Sequence, residues 1–367
     1  MVTKDTNTQY LPFESAIASI DEEIARLKAK GESSGADFSS EIRNLQSRQT
    51  ALLQKTYSDL TPWQTVQVSR HPHRPLFTDY LSLIVKEPRQ LHGDRCFGDD
   101  PAIMTVLGEI GRERVMIIGQ NKGRETKEKI ECNFGCPNPE GYRKALAKMK
   151  LAEKFGLPVV TFIDTPGAYP GIGAEERGQA QAIAVNLMEM SRLKTPIISI
   201  VIGEGGSGGA LGVGVGDRLA MLEYSYYSVI SPEGCAGILW HDGAEAEKAA
   251  KALRLTSKDL YELNLIDAVI GEPLGGAHRS IHDTVYNVEQ YIIRTLRELK
   301  RVKIDTLVKK RYEKICSVGD SELMLKQLKQ KKAAAQEKIP DRLSAKVQLE
   351  QEKADLARQK RQTADKD

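Results

Sequence analysis

The chain has 367 residues and a mass of 40.7 kDa, too long for one small domain and enough for about two ordinary ones. Apolar residues make up 40% and charged residues 28%, which allows a sizeable core and excludes wholesale disorder. The net charge of +3 is uneven: residues 301–367 hold 18 Lys and Arg against 11 Asp and Glu, net +7, and the preceding 300 residues are net −4.

No apolar run approaches the roughly 20 residues a membrane helix needs. The opening MVTKDTNTQY has neither an apolar stretch nor an Arg-rich amphipathic one, so a cytoplasmic location without a membrane partner is expected. Five cysteines, at 96, 132, 136, 235 and 316, are odd in number and sparse, which points to a reducing compartment and not to a disulfide framework. Cys132 and Cys136 lack the duplicate C-x2-C spacing of a structural zinc site and read as loop thiols. The basic tail mixes both signs, and Tyr312 is its only aromatic residue. It reads as a solvated helix and not as a nucleic-acid surface.

In chain order, residues 1–10 are expected to fray. Ile17, Ile20, Ile24 and Leu27 recur at helical spacing, residues 31–40 form a Gly/Ser-rich break, and Ile42, Leu45, Leu52 and Leu53 resume the stripe. This is an αα-hairpin whose apolar face must pack on the body or on another subunit. Residues 61–95 read as loop, with HPHRP at 71–75 and Pro88; His71 and His73 lack a third ligand nearby and read as packing or hydrogen-bonding residues. From residue 102 the pattern becomes an alternation of strand and helix. Strands are expected at 103–110, 115–120, 159–164, 197–202, 219–223, 227–230 and 265–270. Helices are expected at 141–155, 174–193, 244–253, 256–263 and 280–300. The fold class is α/β with mostly parallel strands.

Two glycine-rich segments follow buried strands and precede helices. The first is Asp164-Thr165-Pro166-Gly167-Ala168-Tyr169-Pro170-Gly171. The second is Gly203-Glu204-Gly205-Gly206-Ser207-Gly208-Gly209. The second fits several patterns. Gly203, Gly205 and Gly208 match a dinucleotide fingerprint, with Glu223 as the ribose acid. Gly205, Ser207 and Gly209 match a nucleophile elbow, and Asp267 and His278 follow in hydrolase order. A third reading needs no side chain: main-chain N–H groups at a helix start hold a negatively charged oxygen. A P-loop is excluded because no Lys follows the glycines. Glycines serving only close packing, with Ser207 as a small turn residue, are the plainer alternative. Two such turns on neighbouring parallel strands would open on the carboxyl edge of the sheet, where ligands bind.

Longer stretches then carry a resemblance. GQNKGRETKEKI at 119–130, NFGCPNPEGYRKAL at 133–146, FIDTPGAYPGIGAEERGQ at 162–179, VIGEGGSGGALGVGVGD at 201–217, YSVISPEGCAGILW at 227–240 and LIDAVIGEPLGGAHR at 265–279 resemble the carboxyltransferase alpha subunits of bacterial-type acetyl-CoA carboxylase, over about residues 12–300. The resemblance implies a crotonase-like (ClpP/crotonase) fold of repeated β-β-α units. Around it the expected organisation is an N-terminal helical hairpin at 1–60, a carboxyltransferase domain at 61–300, and a charged helical or disordered tail at 301–367. It implies transfer of a carboxyl group from carboxybiotin to acetyl-CoA, giving malonyl-CoA for fatty acid synthesis. It makes Gly208 and Gly209, then Gly205 and Gly206, the expected oxyanion donors. The pocket would be lined by Gly167, Ala168, Tyr169 and Gly171. Lys122 and Arg124 could attract coenzyme A phosphates or carboxybiotin, or belong to a salt-bridged surface with Glu125, Glu128 and Glu131. No covalently bound cofactor is implied, and zinc is expected only in the beta subunit. The implied partners are that beta subunit, as alpha2beta2, the biotin carboxyl carrier protein and the biotin carboxylase component. The competing classes are a serine hydrolase using Ser207 and a non-catalytic scaffold.

Overall fold

A computed structural model describes residues 9–320. Residues 1–8, within the stretch expected to fray, and 321–367, most of the charged tail, lie outside the described residues. A 3-10 turn leads into helix α1 (Ser15–Ser34), and α2 (Ser39–Tyr57) returns beside it. Gly35, at φ 66°, ends α1 in the left-handed region and donates its N–H to the Gly31 carbonyl. Ile17, Leu53 and Tyr57 bury the hairpin's apolar stripe against Val68 and Tyr224 of the body.

The stretch expected to be loop contains α3 (Pro62–Ser69), α4 (Phe77–Ile84) and β1 (Val85–Gln90). Its prolines mark starts and edges here. Pro62 occupies the first turn of α3, where its missing N–H costs nothing, and Thr61 caps that helix by accepting from Gln64 N–H at 3.2 Å. Pro88 sits in an edge strand beside a register shift between Lys86 and Arg89.

Next come β2 (Ile103–Ile110), β3 (Glu113–Gln120), α5 (Thr126–Glu131), α6 (Pro139–Lys154) and β4 (Val159–Thr165). The helix expected at 174–193 is two: α7 (Ile172–Glu176) and α8 (Gln179–Arg192), separated at Gly178, whose φ is 79°. β5 (Ile197–Gly206) carries on through the first glycines before α9 (Ser207–Leu211). β6 (Arg218–Leu222), β7 (Tyr226–Ser228), α10 (Pro232–Trp240), α11 (Ala246–Leu253), α12 (Ser257–Glu262), β8 (Ala268–Ile270), α13 (Ile281–Leu299) and α14 (Ile304–Cys316) complete the described chain.

The sheet runs β1-β2-β3-β4-β5-β6-β8, and β7 pairs with the far end of β5. β1, β2 and β3 are antiparallel; from β3 onward every pairing is parallel. Residues alternate between two buried faces, as in a sheet covered on both sides. Val160, Phe162, Ile198, Ile200 and Ile202 face Phe77, Tyr80, Ile292 and Leu296 on α4 and α13. Val159, Ile163, Ile197 and Val201 face Tyr142, Met149, Ala182 and Met190 on α6 and α8.

The C-terminal segment begins as part of this core. Arg311 on α14 is 1% exposed. Its guanidinium donates to both Asp217 carboxylate oxygens, at 2.9 and 2.7 Å, and to the carbonyls of Met190, Leu193 and Thr195, at 2.7–2.8 Å. Asp217 also accepts the Ile197 N–H at 2.7 Å, so one ion pair ties α14 to the start of β5. Replacing Arg311 by Met strands Asp217 as a buried charge and leaves three carbonyls without a donor. We expect a loss of about 3–5 kcal/mol in denaturant unfolding; an unchanged midpoint would contradict this view of the tail.

Candidate functional site

The site starts from the parallel pairing of β4 and β5, which brings both glycine turns to one sheet edge. There the turns touch backbone to backbone. A Cβ on Gly206 would stand 2.1 Å from the Pro166 carbonyl oxygen, and one on Gly209 would stand 2.5 Å from Ala168 N. Both glycines are therefore required by contact. Gly208 differs: the nearest atom to its Cβ position is on the Ile183 side chain, at 3.7 Å. The glycine segment is not one loop. Gly203, Gly205 and Gly206 belong to β5, and Ser207, Gly208 and Gly209 form the first turn of α9. The first N–H groups of a helix have no intrahelical acceptor.

The other turn is held from below. The Thr165 hydroxyl lies 2.6 Å from the Gly135 carbonyl and 2.8 Å from that of Gly167, and accepts the Gly167 N–H at 3.1 Å. Tyr169 donates its N–H to the Pro137 carbonyl at 3.0 Å; its ring covers Gly171, where a Cβ would stand 2.4 Å from a ring carbon.

Beneath the turns lies an ion network, buried at Asp164 and Glu204 and partly exposed at Lys122, Arg70 and Glu233. The strand pairing shifts register between Ile163 and Thr165, and Asp164 fills the gap. Its carboxylate accepts the Glu204 N–H at 2.9 Å and the Lys122 ammonium at 2.6 Å. Lys122 also reaches Glu204 at 2.6 Å; Glu204 accepts from Arg70 at 2.7 Å and from the Tyr226 hydroxyl at 2.8 Å, and Arg70 pairs with Glu233. Burial alone would raise the Glu204 pKa, but Lys122 and Arg70 hold it at about 2. Burial likewise opposes the Lys122 charge, and Asp164 and Glu204 more than offset it, raising its pKa.

This placement changes the role of two expected residues. The Lys122 ammonium is committed to two carboxylates at the floor of the site, an arrangement unlike a surface cation awaiting a phosphate. Arg124 pairs with Asp79 at 2.5 Å, and Glu128 accepts its N–H, the salt-bridged alternative.

The side-chain readings of the glycine segment do not hold. Ser207 has the positive φ, 48°, of a strained turn residue, but its expected partners lie elsewhere. Asp267 accepts the N–H of Leu219, which pairs with Ser199 far back along β5, and binds Lys314. His278 stacks on His71 at 3.8 Å, and burial presses its pKa down to about 2. The hydrolase triad is therefore not assembled. Gly203 and Gly205 lie within a strand, and the glycine at 203 is required because a Cβ would meet the Asp164 carboxylate at 2.5 Å; Glu223 instead accepts the Glu272 N–H. His71, as expected, serves packing and hydrogen bonding, bonding the Gln9 carbonyl at 2.7 Å.

Sequence reasoning missed Arg70, Gln120, Tyr142, Asp164 and Glu204. One signal was available: Asp164 and Glu204 are the acids that follow the two uninterrupted buried runs, where an unpaired charge is costly. Their partners come from distant segments and carry no local pattern. Among the described residues, no group of three or more His, Cys, Asp or Glu side chains could hold a metal ion, and no helix is long and apolar enough to cross a membrane.

A family model described as acetyl co-enzyme A carboxylase carboxyltransferase-like matches residues 10–319. A protein of Rhodopirellula baltica named acetyl-coenzyme A carboxylase carboxyl transferase subunit alpha is 55% identical over 309 residues, 84% of this chain and 97% of that one. One of the same name from Nitratiruptor is 53% identical over 310 residues, 84% of this chain and 98% of its own. Among solved structures, a Pseudomonas malonate decarboxylase hetero-tetramer in complex with coenzyme A aligns with a TM-score of 0.51 at 16% identity, over 68% of this chain and 98% of that one. The fold is crotonase-like, as the sequence resemblance implies.

Two predictions follow from the contacts. Gly206→Ala and Gly209→Ala should each lose about 1–3 kcal/mol or more in thermal or denaturant unfolding, because backbone blocks the new methyl. Gly208→Ala should stay within about 1 kcal/mol of the parent; equal losses at all three positions would refute the contact account. Glu204 has its pKa lowered from 4.5 to about 2, so its contribution is present above 4.5 and is lost as pH falls toward about 2. Glu204→Gln should cost about 3–5 kcal/mol at neutral pH, and its stability gap to the parent should narrow through that acid window. A gap independent of pH would argue against the charged network.

Proposed function

The chain belongs to the acetyl co-enzyme A carboxylase carboxyltransferase-like family, and on that premise we propose how its two glycine turns serve the reaction. It is the alpha subunit of a multi-subunit transferase that moves a carboxyl group from carboxybiotin to acetyl-CoA, forming malonyl-CoA for fatty acid synthesis. The reaction places negative charge on two oxygens, one on the biotin ureido group and one on the thioester. Biotin, once relieved of carbon dioxide, is itself basic enough to take the thioester's α-proton. The protein must orient the two substrates, exclude water and hold the oxyanions.

In our reading the N–H groups of Gly208 and Gly209 hold the biotin oxyanion, with Gly205 and Gly206 as the next candidates. Gly167, Ala168, Tyr169 and Gly171 line the same pocket. The observation that carries this reading is the backbone contact of two glycine turns at one sheet edge, where the nearby charged side chains are spent on each other. Donors fixed in this way need little reorganisation as charge develops, and each contributes about 2.7–4 kcal/mol. Lys122 then acts as a floor beneath the turns, and Arg124 lies at the margin with Asp79.

The beta subunit completes the site in an alpha2beta2 assembly and carries the zinc; this chain has no C-x2-C pair of its own. The biotin arrives on the biotin carboxyl carrier protein, loaded by the biotin carboxylase component. The sparse cysteines fit a cytoplasmic enzyme. The direct test is decarboxylation of malonyl-CoA against biocytin by this chain reconstituted with its beta subunit. The chain alone should be inactive. Gly208→Val should assemble normally and lose at least about a hundredfold in kcat. Full activity in that variant would remove the oxyanion assignment.

A further inference from the structure

Gln120, the last residue of β3, is 1% exposed, yet both ends of its amide are engaged. Its Oε1 accepts the N–H of Asp164 at 3.0 Å, and its Nε2 donates to the carbonyl of Gly209 at 2.8 Å. One side chain thus spans the register shift in β4 and the first turn of α9. The Gly209 carbonyl takes a second hydrogen bond, 3.2 Å long, from the hydroxyl of Tyr142 on α6. Tyr142 in turn packs under Gly212, where a Cβ would stand 2.7 Å from its ring. Asn186 on α8 donates to the carbonyls of both Tyr142 and Gly212, at 3.0 and 2.9 Å.

α9 has only five residues and is glycine-rich, so it cannot hold its own orientation. A peptide carbonyl fixed from below fixes the plane of its peptide unit and, through the helical turn, the direction of neighbouring N–H groups. We propose that Gln120 is a positioning residue for the carboxyl transfer. By holding the Gly209 carbonyl to the end of β4, it aims the Gly208 and Gly209 N–H groups at the oxygen that becomes negative. The inference rests on the reading of those amides as oxyanion donors. Tyr142 is the auxiliary contact.

The test uses the reconstituted alpha–beta enzyme, with malonyl-CoA and biocytin. Gln120→Met keeps the volume and removes both hydrogen bonds. We expect kcat to fall about tenfold to a hundredfold, the cost of misaiming a site by a fraction of an ångström to one, with KM for malonyl-CoA and the assembly unchanged. Gln120→Glu supplies a second readout should Gln120→Met fold poorly. A carboxyl at this position donates to the Gly209 carbonyl only when protonated, so this variant's activity, relative to the parent, should fall as pH rises. The titratable groups around that side chain are Asp164, Lys122 and Tyr142, with Glu204 paired to Lys122 and with Asp100 and Cys136 acting on Tyr142; α9 contributes none. A purely structural role would lower the thermal midpoint in step with that loss, whereas the positioning role lowers kcat at pH values where the midpoint has not moved. Parental kcat in well-assembled Gln120→Met, or a Gln120→Glu profile parallel to the parent's, would overturn the proposal. Gly208→Val separates the two ideas. If it inactivates while the Gln120 variants do not, the positioning claim alone falls. If it is fully active, the oxyanion reading falls and takes this inference with it.

Discussion

The site depends on two stretches of main chain lying closer than any side chain would allow. The turn after β4 rests against the end of β5 and the start of α9, and the contact admits no methyl group at Gly206 or Gly209. That approach places two sets of backbone dipoles side by side at the sheet edge. It also disrupts the strand ladder, since β4 and β5 lose register between Ile163 and Thr165. The Asp164 carboxylate accepts the N–H of Glu204 across the gap, and its own N–H goes to Gln120. A buried carboxylate needs a cation, which Lys122 supplies, and Lys122 brings in Glu204, Arg70 and Glu233. The charges near the turns are thus consequences of the backbone contact.

The same logic links the site to the ends of the described chain. Arg70 and Arg74 follow α3. Arg74 donates to the Ile202 carbonyl at 2.8 Å and pairs with Glu272, whose side chain is fully buried. Arg311 holds the start of β5 from the C-terminal side. The strand that presents the glycines is anchored at both ends by arginines far away in sequence.

The alternation of strand and helix from residue 102 was readable because period-two and period-3.6 patterns are local. The strand at 103–110 lies where apolar spacing puts it, the strand at 159–165 and the helix at 281–299 lie within a residue of it, and β5 starts at Ile197 as expected but runs on to Gly206. The N-terminal hairpin was equally plain. Misreadings arose where one residue type has two meanings. The prolines that mark 61–95 as loop stand beside two helices and an edge strand, and Gly178 divides a helix that apolar spacing alone joins. Glycines expected in a turn belong partly to a strand, because their smallness serves contacts with Asp164 and Pro166 that no local pattern reveals. Asp267 and His278 followed Ser207 in the right order, but order in sequence says nothing about the sheet edge on which a residue stands.

The central claim concerns where the biotin oxygen sits. A structure of the assembled alpha and beta subunits with biotin bound measures it directly. The account predicts the ureido oxygen at about 2.7–3.1 Å from the Gly208 and Gly209 nitrogens. Biotin seated away from that turn, with those nitrogens already bonded to protein, would contradict it.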